Sequence, residues 1–362
     1  MGLVLSGGGA RAAYEVGVLR AIYDGKGPAA DRPPEVFCGT GAGAFNAAVL
    51  ASRLPNQFPT PIAYLESLWA DEIPREGRMR HSRVYRKRVD LGMFFDWPYL
   101  WRRPVKSWMQ FFGDLGYVMP RQLKRIGQAL AGGGLAAAVD LAIWNDTSPM
   151  RRLITESVNL GIIREGETGD GPLRILRVIA AERGTGKPRI FRNEDFTEGA
   201  GYLAVLASCA LPILFSPVKI EGKEFFYGGL VMQAPLGPAV EAGCSVIHLM
   251  HNEPRLDVDP GASAFESLNR AITVALAATL DRDIAARARM NQLLDAHAAA
   301  GTAPIAELAK ERRVVVHQYR PKKVLGGKTG FLDFSRSQIE DAIAEGEKDA
   351  AAHDCEKEGC LL

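Results

Sequence analysis

The sequence predicts an α/β protein, and three kinds of stretch carry that reading. Gly2-Leu3-Val4-Leu5 is a short apolar run that ends in Ser6-Gly7-Gly8-Gly9 and passes into helical sequence from about Arg11 to Tyr23. Val36-Phe37-Cys38-Gly39-Thr40 repeats the arrangement, with β-branched and aromatic residues that break at glycines and continue into an alanine-rich helix. Further on, Leu173 to Ala181 and Val246 to Met250 return to strand pattern, and Ala262 to Ala300 reads as long helical sequence with Arg/Asp pairs. With 362 residues and 47% hydrophobic content the chain suffices for one large domain with additions, and no repeat or long linker divides it.

The first corner is built to receive negative charge. Three consecutive glycines, Gly7 to Gly9, let backbone amides point into a shared concavity, which the positive end of the following helix reinforces. With Ala10 and Arg11 this makes an oxyanion or phosphate cradle. Gly7, Gly9 and Ala12 also fit a loose dinucleotide fingerprint, but the next strand ends in Gly39-Thr40 where a ribose would need an acidic residue. At the second corner Gly39 and Gly43 stand two before and two after Gly41, the pattern of a sharp strand-turn-helix elbow. Hydrolases of the G-x-S-x-G type carry a serine at that apex; Gly41 has no side chain to attack with.

These residues resemble the patatin-like phospholipase family, whose glycine-rich oxyanion loop precedes a G-T-S-A-G-A nucleophile elbow. Ser6-Gly7-Gly8-Gly9-Ala10-Arg11 and Gly39-Thr40-Gly41-Ala42-Gly43-Ala44 carry the likeness. Ala207-Ser208-Cys209-Ala210-Leu211-Pro212 is similar to the family's A-S-x-A-x-P segment, and Tyr227-Gly228-Gly229-Leu230 to its D-G-G motif. Leu332-Asp333-Phe334-Ser335 is similar to the end of bacterial members. The resemblance implies a three-layer fold with a central, mostly parallel sheet flanked by helices, a single domain over residues 1–350, a helical insertion over 72–150 and a tail from 351 to 362. It also implies that Gly41 and Tyr227 replace the nucleophilic serine and the aspartate base, and that Gly7, Gly8, Gly9, Ala10, Arg11 and Ala42 hold a ligand. Gln233-Ala234 stands where plant members have an asparagine pair.

The insertion is the least family-like part. Arg78 to Arg88 is densely basic, and Leu91 to Met119 is rich in aromatics. Trp97, Trp101, Arg102, Arg103 and Trp108 suit either a cap packed on the body or an interface with an anionic membrane, where amphipathic rings sit at headgroup depth. Gly132-Gly133-Gly134, lacking a preceding strand, reads as a bend. Cys38, Cys209 and Cys244 lie in apolar runs and read as core residues, Cys355 and Cys360 sit near the C-terminus, and all five are expected reduced, with no zinc set. His248 and His251 are expected to be structural. A net charge of +2 argues against nucleic acid as the main partner. Without a basic n-region or long apolar run, the expected localisation is cytoplasmic, at most peripheral at a membrane. Met-Gly-x-x-x-Ser matches a crude myristoylation pattern, but reads better as a strand entering a turn.

A serine-aspartate dyad acts as a unit, so losing both members leaves only the contribution of the amides. Neither Thr40, Cys38, Ser6 nor Ser208 has an evident base beside it, and a tyrosine phenol is a poor base near neutral pH. The expected function is a catalytically impaired pseudo-hydrolase that binds a lipid, fatty acid or acyl ester without a cofactor. The alternatives are an active acyl hydrolase or acyltransferase with another nucleophile, an engineered inactive phospholipase, and a protein-interaction scaffold. Oligomeric state and protein partners stay open.

Overall fold

The computed structural model describes residues 1–26, 33–74, 82–89, 104–133, 141–169, 171–254, 264–301, 308–327 and 330–362. Its sheet is built from β1 (Gly2–Leu5), β2 (Val36–Thr40), β5 (Ile175–Glu182), β6 (Pro188–Phe191), β7 (Val218–Ile220), β8 (Lys223–Tyr227), β9 (Val246–Met250) and β10 (Val315–Tyr319); β3 (Arg86–Lys87) and β4 (Asn145–Asp146) form a separate ribbon. The order is β10-β9-β1-β2-β5-β8-β7, with β6 on β5. From β10 to β5 all neighbours are parallel, while β6 and β8 pair antiparallel with β5, and β7 pairs antiparallel with β8. Parallel strands covered on both faces should be apolar throughout rather than alternating, and all of Gly2–Leu5 and Val36–Thr40 are buried.

Each face of the sheet has its own core. Leu3, Leu5, Phe37, Leu176 and Val178 pack with the helices Ala13–Tyr23, Ala42–Ala51, Gly201–Cys209 and Arg336–Ala351. Val4, Val36, Cys38, Ile247, Leu249 and Val316 pack with Leu236–Glu241 and Ala264–Ala300. That is the three-layer α/β arrangement the resemblance implies. The first helix and the C-terminal helix touch backbone to backbone. A Cβ added at Gly17 would lie 1.9 Å from the Ile343 carbonyl oxygen, and one at Gly346 would lie 2.1 Å from that of Tyr14.

Two expectations change. The chain does not bend at Gly132-Gly133; the helix Pro104–Gln128 continues into a wider π turn over Ala129–Gly133, because glycine does not by itself end a helix. Gly134 lies outside the described residues. The first helix starts later than expected, since Gly9–Ala12 winds as a tighter 3-10 turn before the α-helix opens at Ala13.

Candidate functional site

The carboxyl ends of β1 and β2 place their two corners side by side. Gly41 has φ 59° and ψ −128°, the backbone of the first central residue of a type II′ turn, which glycine adopts most easily. Its flanks require glycine for another reason: a Cβ at Gly43 would stand 2.4 Å from the Leu5 carbonyl oxygen. The helix Gly201–Cys209 clamps the apex, because Gly41 N–H donates to Ser208 Oγ at 2.8 Å and Cys209 Sγ donates to the Gly41 carbonyl at 3.0 Å. The segment Ala207–Pro212 thus supports the elbow from behind.

Gly7, Gly8, Gly9, Gly41 and Ala42 line one cleft. Its other walls are mainly apolar and include Phe45, Trp69, Met150, Leu211, Phe215, Leu276 and Phe331. The free space is about 110 Å³, and its apolar lining favours a hydrocarbon occupant. Ala10 and Arg11 are buried and do not line it. Arg11 is held behind the wall: its Nε donates to the Leu325 carbonyl at 3.1 Å and its guanidinium pairs with Glu253, which does line the cleft.

Tyr227 enters this cleft from the end of β8, where its N–H donates to the Ala210 carbonyl at 2.9 Å. Its ring lies between glycines. A Cβ at Gly41 would be 2.6 Å from Tyr227 Cε2, and one at Gly7 would be 2.0 Å from the phenol oxygen. The hydroxyl donates to Gln233 Oε1 at 2.9 Å, and Gln233 Nε2 donates to the Gly7 carbonyl at 2.6 Å. Burial pushes the phenol further above its ordinary value, so it is neutral and its proton is committed to Gln233.

A second polar set stands behind the cradle. Glu15, fully buried, accepts from Asn46 Nδ2 at 2.7 Å and Asn252 Nδ2 at 2.8 Å, while Asn46 Oδ1 accepts from Trp69 Nε1 at 2.7 Å. Burial raises the Glu15 carboxyl to about 8 against these hydrogen bonds, which favour its charged form. Asn252 Nδ2 also donates to the Ser6 carbonyl at 2.8 Å. Sequence reasoning missed Glu15, Asn46 and Asn252. The one available signal was a carboxylate set inside the apolar run Ala13-Tyr14-Glu15-Val16.

Of the cap residues, Trp97, Trp101, Arg102 and Arg103 lie outside the described residues. Trp108 is 46% exposed on the helix Pro104–Gln128, stacked on Phe112 at 5.7 Å between ring centroids. Val105, Met109, Phe112, Met119, Leu123 and Ile126 are also exposed along it. Where it is described, the basic run is paired with acids: Arg86 with Asp114 at 2.6 Å and Asp146 at 2.7 Å, and Arg88 with Asp146 at 3.3 Å. Among the described residues no helix is long and apolar enough to cross a membrane. His248 Nδ1 meets the Tyr319 hydroxyl at 2.9 Å and His251 Nε2 meets Gln318 Oε1 at 3.0 Å, contacts that tie β9 to β10.

No curated protein matches the chain. Among solved structures it is similar to the crystal structure of VipD from Legionella pneumophila, at 15% identity over 97% of this chain and 66% of that one, with a TM-score of 0.40. The model of the patatin-like phospholipase family matches residues 3–240, a span that takes in the glycine cradle, the elbow, the clamp behind it and Tyr227. The chain belongs to the patatin-like phospholipase family.

Proposed function

We propose that this chain is a catalytically impaired member of its family that binds a fatty acid, lysolipid or acyl ester in the Gly7–Gly41 cleft. One observation carries the reading. The Tyr227 ring occupies the space directly above the Gly41 apex, where a nucleophile's side chain would stand. An acyl tail would lie along the apolar walls, and the amides of Gly8, Gly9 and Ala42 would meet its carbonyl or carboxylate. The phenol acts as a plug rather than as the ligand's donor, because its proton already goes to Gln233.

Substitution by a neighbouring nucleophile has little support. Cys209 lines the cleft, but burial raises its thiol well above the ordinary value, and the thiolate is the nucleophilic form. The test is direct. Delipidated protein should bind a fluorescent fatty acid, and Ala277→Trp, which narrows the cleft wall, should weaken that binding. Absence of binding, or labelling by a fluorophosphonate together with turnover of p-nitrophenyl esters, would overturn the proposal.

A further inference from the structure

Outside the cleft, four side chains converge at the edge of the sheet. His317 lies on β10, His353 follows the helix Arg336–Ala351, and Cys355 and Cys360 bracket the one-turn helix Cys355–Glu358. One donor atom from each lies within 4.8 Å of all the others. Cys355 Sγ is 3.5 Å from His317 Nδ1 and 3.6 Å from His353 Nε2, and Cys360 Sγ is 3.3 Å from the same His353 nitrogen.

We infer that His317, His353, Cys355 and Cys360 form a closed, four-ligand site for a zinc-class divalent cation, which fastens the C-terminal segment to β10. Zn–S bonds of about 2.3 Å and Zn–N bonds of about 2.0–2.1 Å at tetrahedral angles place sulfur and nitrogen ligands roughly 3.6 Å apart. The three sulfur–nitrogen separations lie at or just below that value. Two thiolates with two imidazoles is a donor set that selects zinc over magnesium or calcium. With four protein ligands no position is left open for substrate, so the role is structural.

The surroundings are those of a supported site. Gln318 N–H donates to Cys360 Sγ at 3.2 Å, an outer hydrogen bond of the kind that orients a metal ligand. Asp354 caps the short helix by accepting from the Glu356 N–H at 3.1 Å, which holds Cys355 in place, and Gly359 ends it in a left-handed turn. Leu361 exchanges hydrogen bonds with Val316 at 2.8 and 2.9 Å, so the segment already lies along β10. The site also reaches the cleft. The Gln318 side chain bonds the Gly359 carbonyl on one side and His251 on the other, and His251 lines the cleft wall.

The experiment uses the full chain without a histidine tag, purified under reductant. Elemental analysis should find one zinc per chain. Exchange into Co²⁺ should produce tetrahedral visible bands together with a thiolate-to-cobalt charge-transfer band. Cys360→Ser and His353→Ala should each weaken cobalt binding by at least the roughly 10–100-fold that loss of an outer-sphere partner costs. Failure of the wild-type chain to take up a full equivalent of either metal would overturn the inference, as would a cobalt spectrum without the thiolate band. So would an intact mass showing a Cys355–Cys360 disulfide in protein kept under reductant. The wild-type measurements decide the matter even if the variants do not fold.

Discussion

Reintroducing the missing dyad tests whether Gly41 and Tyr227 form one interlocked unit. In Gly41→Ser, the new Cβ would stand 2.6 Å from Tyr227 Cε2, on a backbone with φ 59°. A strained backbone position costs about 1–3 kcal/mol and overpacking about 1–3 kcal/mol more, so this variant should lose roughly 2–6 kcal/mol. At about 1–2 °C per kcal/mol for a chain of this length, that is a fall of roughly 2–12 °C in Tm. Tyr227→Asp empties the slot and should cost about 3–5 kcal/mol, as loss of a buried ring does. In the double variant the collision is gone, so its loss should fall short of the sum by ~1–3 kcal/mol. Thermal melts of the three variants read this coupling, and p-nitrophenyl butyrate hydrolysis reads the chemistry. Only the double variant should turn over, because nucleophile and base act together. Strictly additive melts would refute the interlock. A stable but inert double variant would show that the cradle no longer holds an oxyanion, and would favour a protein-interaction scaffold.

Two further outcomes follow from packing and surface. Gly346→Ala forces a methyl group against the Tyr14 carbonyl, a rigid neighbour 2.1 Å from the new atom. It should lower the urea midpoint by the equivalent of about 2 kcal/mol or more despite alanine's better helix propensity; an unchanged midpoint would show that the two helices do not touch as described. We also propose that the helix Pro104–Gln128 lies on anionic lipid, since its exposed apolar stripe is accompanied by Arg121, Lys124 and Arg125. Trp108→Ala with Phe112→Ala should remove ~2 kcal/mol of apolar contact, about a thirtyfold loss of partitioning onto phosphatidylserine vesicles. Added salt should weaken the wild type as well; equal sedimentation of both proteins would count against the contact.

The parts of the site that were legible in the sequence are those where chemistry depends on local spacing. The glycines of the cradle, the elbow flanks Gly39 and Gly43, and the helix carrying Ser208 each announce themselves within a dozen residues. The sheet meets them where expected, with β9 at Val246–Met250 and β5 at Ile175–Glu182. What escaped is what the fold assembles from far apart. Gln233 captures the Tyr227 proton only because β8 and the following turn bring both beside Gly7. Glu15 meets Asn252 across more than two hundred residues of chain. Cys355 and Cys360 lack a familiar motif because one of their partners, His317, comes from a strand before the preceding helix. The partners of the basic run were likewise hidden, because Asp114 and Asp146, which pair with Arg86, are distant from it in sequence.

The position of β1 at the middle of the sheet has a consequence for biosynthesis. One of its edges pairs early, with β2; the other waits for β9, since Gly2 aligns with Ile247. At roughly 5–20 residues per second, a ribosome takes about 10–50 s to make the intervening polypeptide. Throughout that interval a fully apolar strand presents an unpaired edge, the kind of template that recruits other nascent chains. Yield in a cell should therefore depend on whatever shields that edge, and slowing translation between β2 and β9 should increase aggregation rather than relieve it.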